Sequence, residues 1–266
     1  MSTKYSKLVL VGMTGFMAEN LLLSHYREPL VDKLGEDNFK NVYSVLSTLA
    51  LSTCGIAILR GRGGPYINVS KFNKSIGSLF QLLGIAGLSQ VFPKLQIPFQ
   101  KQSNEELKLI PSDKDSNKTM IDVKDNNKNV KSSSGGYVAR CPIDFKYEKT
   151  KKEVHGIERI TRNPQLWSLG LYSFGVSLFT KSFPLRTLGY SMTIWCIIGS
   201  IHRDYRQKKG LSGSITPNKL ATSSNIPFQA LLENRQSWVM LNEEFKWVNA
   251  NLAALFYLLI KAICRK

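Results

Sequence analysis

The hydrophobic residues of this chain are gathered into long blocks instead of alternating with polar residues. A helix needs roughly 20 consecutive apolar residues to cross the hydrocarbon core of a bilayer, and several blocks approach that length. Pro, Gly or basic clusters follow most of them, as is typical at the ends of membrane helices. The pattern predicts an all-α fold, a polytopic integral membrane helical bundle of about five to six transmembrane helices, with apolar segments at residues 8–23, 42–59, 75–91, 165–180, 188–201 and 248–263.

Residues 99–152 interrupt this pattern. Ser, Asn, Lys and Asp dominate there, and the apolar content is too low to build a core. We expect a polar, largely irregular or partner-bound insertion, with short extended pieces at 137–139 and 143–145. The chain therefore divides into N-terminal membrane helices (1–98), the insertion, and C-terminal membrane helices (153–266).

The first apolar segment resembles a signal peptide, because Lys4 and Lys7 precede it. Glu19 interrupts the segment and no clear cleavage site follows, so we expect a retained membrane helix. A carboxylate at membrane depth is costly unless it has a partner. We expect that partner to be Arg159 or Arg162.

The charge is strongly basic, with 36 Lys and Arg against 19 Asp and Glu and a net charge of +17. Such an excess can serve nucleic acid, anionic lipid or acidic proteins. No zinc-finger spacing or aromatic-basic RNA motif is present, so we expect no nucleic acid and favour the membrane surface. We assign lipid or structural roles to Glu19, Arg60, Arg62, Arg159, Arg162, Asn163, Arg203, Arg206 and Arg235.

Cysteine and histidine patterns point to no metal centre. The four cysteines have no metal-ligand spacing, which disfavours both a disulfide framework and a zinc site. Of the three histidines, His25 follows the first apolar segment, His202 ends the fifth, and His155 precedes the charged stretch before the fourth. An imidazole at such an interface is more often solvated or bonded to a carboxylate than bound to iron. We assign no catalytic residue and no metal ligand.

A charged stretch before the fourth apolar segment carries the clearest motif. Residues 156–167 read Gly-Ile-Glu-Arg-Ile-Thr-Arg-Asn-Pro-Gln-Leu-Trp, in which Pro164 suits the first turn of a helix. The spacing predicts an ion pair between Glu158 and Arg162. The run resembles the "RITRHPQLW" signature of the NnrU family, which includes the plant and cyanobacterial 15-cis-ζ-carotene isomerases.

Three further runs extend the resemblance over most of the chain outside the insertion. Residues 199–206 are similar to the family's "G…DRR" helix end, and residues 224–236 to its "SxIPFxAxxxGRQ" run. Residues 29–46 resemble its "RLVxRLGExxYRxLYSLVSL" run. The resemblance implies an integral membrane helical bundle and, in the isomerase branch, a b-type heme held by two histidines and acting on a polyene.

Both heme-ligand positions depart from the family's pattern. The histidine of the Arg-His-Pro motif is replaced by Asn163, and the one near the end of the first helix by Glu19 or Asn20. A neutral amide is a poor iron ligand, so we expect no cofactor. The alternative is heme b held by His25 and His202. A related methyltransferase branch also uses an Arg-His-Pro element, but the Glu243-Glu244 pair is expected on a solvated turn.

Two functions follow from the resemblance and these losses. The favoured one is a non-catalytic accessory or structural subunit of a respiratory-chain or ATP synthase complex in the mitochondrial inner membrane. Its partners would be other membrane-complex subunits and an anionic phospholipid such as cardiolipin. The alternative is a heme-dependent isomerase or oxidoreductase resembling 15-cis-ζ-carotene isomerase, in a plastid membrane.

Overall fold

The computed structural model describes residues 2–61, 66–95, 99–101, 137–139, 154–211 and 215–263. Ten α-helices form within these ranges. The four of the N-terminal part are α1 (Ser2–His25), α2 (Arg27–Leu34), α3 (Glu36–Arg60) and α4 (Lys71–Ser89). The six of the C-terminal part are α5 (Pro164–Phe179), α6 (Phe183–Lys208), α7 (Pro217–Thr222), α8 (Gln229–Leu232), α9 (Trp238–Glu244) and α10 (Trp247–Ile263).

Three short elements complete the described residues. A 3-10 helix, Gly156–Arg159, precedes α5. Strand β1 (Phe99–Lys101) pairs antiparallel with β2 (Tyr137–Ala139), and Phe99 lies opposite Ala139. The extended piece expected at 137–139 is thus confirmed, whereas that at 143–145 and most of the insertion lie outside the described residues.

The mainly helical fold is confirmed, and the apolar segments coincide with α1, α3, α4, α5, α6 and α10. Among the residues that the structure describes, two helices are long and apolar enough to cross a membrane, Lys4–His25 and Glu36–Arg60. Helix α10, Trp247–Ile263, is apolar but shorter. A total of five to six spans remains a prediction.

The helices pack as two antiparallel pairs joined through α6. Helix α1 packs on α3, and α4 packs on α5, while α6 contacts both α1 and α5, and α10 lies against α4. The interface of α1 and α3 centres on four buried side chains, Val9, Met13, Cys54 and Ala57. Partly buried residues of α6, among them Trp195, cover this cluster.

Glycines bring α4 and α5 into backbone contact. A Cβ atom added at Gly77 would lie 2.8 Å from the carbonyl oxygen of Gly175, and one added at Gly84 would lie 2.6 Å from the amide nitrogen of Tyr172. Small residues permit this close approach, which is how helices associate where lipid removes the hydrophobic driving force. Any larger side chain would separate the two helices.

Candidate functional site

The stretch 155–163, which we call the hinge, contains the 3-10 helix and leads as a compact turn into α5. Gly156 has φ of 55°, a left-handed conformation that favours glycine, and its amide donates to Glu244 Oε2 at 2.7 Å. Pro164 occupies the first turn of α5, as expected. The turn directs Arg159, Thr161 and Asn163 inward, where they are 5%, 2% and 1% exposed.

The fold brings together three of the runs that carry the family resemblance. The Arg162 amide donates to the Ser224 carbonyl at 2.8 Å, and the Phe228 amide donates to the Ile160 carbonyl at 2.9 Å. Residues 199–206 of α6 form the third side. We call the resulting cluster the polar junction, and it comprises Arg159, Thr161, Arg162, Asn163, Ser200, Asp204, Asn225, Gln236 and Glu244.

A bidentate ion pair forms one half of the polar junction. Arg159 Nε lies 2.7 Å from Glu244 Oε2, and Arg159 Nη2 lies 2.6 Å from Glu244 Oε1. The third nitrogen of the guanidinium, Nη1, donates to Gln236 Oε1. The arginine side chain is 6% exposed and the carboxylate 14%. This geometry fixes the turn of 155–163 against the end of α9.

The pKa of Glu244 is lowered although its side chain is largely buried. Burial alone would raise the pKa of its carboxyl group. The hydrogen bonds from Arg159 and the Gly156 amide, with the charges of His155 and Arg159, outweigh burial and hold the pKa below its ordinary value. The expectation that Glu243-Glu244 lies on a solvated turn is therefore wrong for Glu244, because the turn of 155–163 covers it.

A second ion pair links the junction to α6. Arg162 Nε lies 3.1 Å from Asp204 Oδ1, and the two side chains are 6% and 10% exposed. Lys208 Nζ lies 2.9 Å from the other oxygen of the same carboxylate. Burial lowers the pKa of Arg162 although Asp204 opposes that shift. Arg162 Nη1 has no hydrogen-bond partner among the residues that the structure describes.

Asn163 occupies the centre of the junction. Its Nδ2 atom donates to Asn225 Oδ1 at 2.8 Å and to the Ser200 carbonyl at 3.4 Å. Thr161 Oγ1 donates to the carbonyl of Asn225, in the loop between α7 and α8, at 2.7 Å. Within the described part of the chain, Asn163 Oδ1 is buried without a partner. The position is enclosed, and its amide serves to join the hinge to α6 and to the 224–236 run.

Arg206 connects the C-terminal part of α6 to the end of α1 and the start of α2. The residue is 3% exposed, and its Nη1 atom donates to the Ser24 carbonyl. Nη2 donates to the Leu211 carbonyl at 2.7 Å and to Glu28 Oε1 at 3.2 Å. Arg206 therefore has a structural role, and its charge does not face lipid headgroups.

The two histidines considered as heme ligands lie on facing helices. His25 is exposed at the end of α1, with its ring edge-on to Tyr26. His202 lies one residue past the apolar segment that ends at Ile201. Burial, then the charges of Arg206 and His25, lower the pKa of His202. His202 Nε2 is buried and has no hydrogen-bond partner within the described residues.

The other arginines differ in their surroundings. Arg60 and Arg203 are exposed, and Arg62 lies outside the described residues. Arg235 is half-buried and donates to the Ala221 and Ser223 carbonyls at 2.9 and 3.0 Å. Arg60 and Arg203 thus have accessible side chains, whereas Arg235 orders the loop before α8.

The predicted partners of two acidic residues, Glu19 and Glu158, are wrong. The carboxylate of Glu19 accepts a hydrogen bond from Ser47 of α3, because its face of α1 packs on α3 and not on the hinge. Glu158 lies 3.1 Å from Lys219 Nζ and does not pair with Arg162. The reason is that the 3-10 helix ends at Arg159, so residues 158 and 162 do not share one α-helical face.

A cavity of about 210 Å³ opens beside the polar junction. Its lining includes His155, Glu158, Gln90, Glu244 and Lys246. Gln90 Oε1 accepts from the Lys246 amide at 2.8 Å, so the wall of the cavity is itself hydrogen-bonded. Neither this cavity nor any other part of the described residues contains a group of three or more His, Cys, Asp or Glu side chains suited to a metal ion.

Sequence reasoning missed several residues of the polar junction. Ser200, Asp204, Asn225 and Gln236 lie inside runs that the family resemblance covers, yet none was singled out. Buried serine and asparagine carry no signal that distinguishes them from surface residues in a single sequence. Comparisons with protein families, with curated proteins and with solved structures found no match.

Proposed function

We propose that this chain is a divergent, non-catalytic member of the NnrU family. It acts as an accessory or structural subunit of a membrane complex, with five to six membrane-spanning helices. The observation that carries the proposal is the closure of the polar junction. Asn163, at the position of a family heme ligand, is 1% exposed and hydrogen-bonded to Asn225.

The charged groups of the junction are occupied by one another. Arg159 binds Glu244 and Gln236, and Arg162 pairs with Asp204. Active sites keep polar groups directed at a substrate in an accessible pocket, whereas here the charged side chains are paired with one another, although Arg162 Nη1 and Asn163 Oδ1 have no hydrogen-bond partner within the described residues. This arrangement supports a role in holding three segments of the chain together.

Exposed apolar surface supports the membrane placement. On α3, Val45, Leu49 and Leu59 are 58%, 61% and 59% exposed, and on α10 Phe256 is 66% exposed. In native proteins, contiguous apolar faces of this kind are covered by lipid or by partner proteins. We place the chain in the mitochondrial inner membrane, bound to other complex subunits and to an anionic phospholipid such as cardiolipin.

Two measurements test this proposal. Alkaline carbonate extraction of the full chain should leave it in the membrane pellet, and single introduced cysteines should report five to six spans. A tagged chain isolated in mild detergent should migrate with stoichiometric complex subunits and show no Soret absorption. A chain released by carbonate, or one that migrates alone, would contradict the proposal.

One observation favours a second candidate, a heme-dependent isomerase. His202 Nε2 is buried without a partner within the described residues, and His25 lies close enough to affect its pKa. Neutral imidazoles are the form that binds iron, and heme would supply the redox-active iron of such an enzyme. Purified protein with a Soret band that disappears in His202→Ala, but not in His155→Ala, would support this function over the first.

A further inference from the structure

One end of the helical bundle carries only positive charge among its described residues. Tyr5 of α1 and Pro184 of α6 both lie against Gly61, after α3. The Ile67 amide, before α4, donates to the Lys181 carbonyl, after α5, at 2.9 Å. Lys261, in the last turn of α10, contacts Ser78 of α4. Six helices therefore present one terminus each to this end.

We call this the basic end, and we define it by the described residues 2–11, 55–61, 66–78, 176–188 and 256–263. No Asp or Glu occurs in these ranges. Their cationic residues are Lys4, Lys7, Arg60, Lys71, Lys74, Lys181, Arg186 and Lys261. A surface with one sign of charge beside a bilayer attracts anionic headgroups, by about 1 kcal/mol for each cation near the surface.

Lys261 has a special position within the basic end. Its Nζ atom donates to Tyr257 Oη at 3.0 Å and to Ser78 Oγ, and it lies 4.3 Å from the ring centroid of Phe179. Within the described residues these partners are all neutral. A half-buried ammonium group without an anionic partner is costly, so the site is electrostatically suited to an anion.

An apolar groove leads from Lys261 along the bundle. A cavity of about 400 Å³ lies between α4, α5 and α10, with Ile85, Phe256 and Ile260 in its lining and Lys261 at its mouth. A second cavity of about 330 Å³ shares Ile85 and Phe256, so the groove continues toward Asn249. Each volume falls within the roughly 300–1,000 Å³ typical of ligand sites.

We propose that this groove binds an acyl chain of one anionic phospholipid, whose phosphate lies against Lys261. The inference rests on the proposed membrane insertion and identifies the lipid site within it. The apolar lining matches the acyl chain, and the ammonium of Lys261, which has no anionic partner among the described residues, matches the phosphate. A zwitterionic phospholipid offers the same chain with a compensated headgroup charge, so the site discriminates by charge.

The test uses the full chain in nanodiscs of equal phosphatidylglycerol and phosphatidylcholine. Native mass spectrometry counts the phospholipids that remain after mild detergent extraction. We expect wild type to retain one phosphatidylglycerol, and Lys261→Gln to lower that retention about fivefold, the effect of one headgroup cation. Lys261→Arg should preserve retention, and Lys209→Gln, an exposed cation at the opposite end, should leave it unchanged.

A variant in the apolar groove tests acyl-chain binding without changing the charge of the site. Ala253 lies in both cavities, so Ala253→Phe should also lower retention while Lys261 remains. Equal retention of the two phospholipids by wild type would overturn the proposal, as would a loss in Lys209→Gln matching that in Lys261→Gln. Carbonate extraction distinguishes a failure of the proposed function from a failure of the lipid site. Release from the membrane contradicts the proposed function, whereas a membrane-embedded chain without lipid preference contradicts the lipid site alone.

Discussion

The two ends of the bundle carry their charge in opposite ways. At the polar junction, cations are buried against acids, as in the pair of Arg159 and Glu244. At the basic end, cations such as Lys71 and Lys181 are exposed and no acid accompanies them within the described ranges. Paired charges at one end hold the chain together, and unpaired charges at the other remain available to an external anion. Substitutions of the same chemical type should therefore have different consequences at the two ends.

The largest expected effect comes from breaking the Arg159–Glu244 pair. Arg159→Ala leaves the buried carboxylate of Glu244 without its guanidinium, which should lower the free energy of unfolding by about 3 kcal/mol. Unfolding in detergent, followed by circular dichroism, measures the change. The matched control is Lys181→Ala at the basic end, which should change stability by less than about 0.5 kcal/mol. Equal losses in the two variants would remove the distinction between the ends.

A second prediction concerns the close contact of α4 and α5, which holds both ends in register. Gly84→Ala places a Cβ atom 2.6 Å from the Tyr172 amide nitrogen. The resulting overpacking should lower the free energy of unfolding by about 2 kcal/mol, as measured by unfolding in detergent. Gly55→Ala on α3 is the control, because a Cβ atom there meets nothing within 4 Å. Helix propensity favours alanine in both variants, so stabilisation of Gly84→Ala would contradict the packing described here.

A third prediction tests whether Asn163 has a structural role. Asn225→Ala removes the acceptor of the bond from Asn163 Nδ2 and should lower the free energy of unfolding by about 1–2 kcal/mol. Asn38→Ala, at an exposed position of α3, should have little effect. Unchanged stability of Asn225→Ala would show that the junction does not depend on this amide pair.

The sequence predicts the helical segments well because long apolar blocks and Pro164 are local signals. Its motif also marks the stretch before α5, although the helical pairing expected there is wrong. The partners of Glu19 and Glu158 and the solvated setting of Glu244 are wrong predictions, since each depends on which helix faces which. Periodicity within a helix does not contain that information.

The basic end is a second feature that depends on which helices lie together, which the sequence does not show. Its cations, from Lys4 to Lys261, are spread over the chain, and along the sequence they are separated by stretches of mixed charge near α2 and the hinge. Only the antiparallel packing of the helices collects them at one end. A count of Lys and Arg by loop therefore gives no orientation, whereas the assembled bundle separates an all-cationic end from a mixed one.

The smallest expected effect is the pH dependence of the polar junction. The pKa of Glu244 is lowered in the folded chain from an ordinary value of 4.5. Its ionised form therefore contributes stability that is fully present above the unfolded-state pKa and is lost as pH falls through the folded value. The difference in unfolding free energy between wild type and Glu244→Gln should shrink as the pH falls below 4.5. The basic end has no carboxylate to titrate, so Lys74→Gln should differ from wild type by a constant amount over the same range. A Glu244→Gln difference that is independent of pH would mean that the Glu244 charge contributes nothing to holding the hinge against α9, leaving packing and neutral hydrogen bonds to do so.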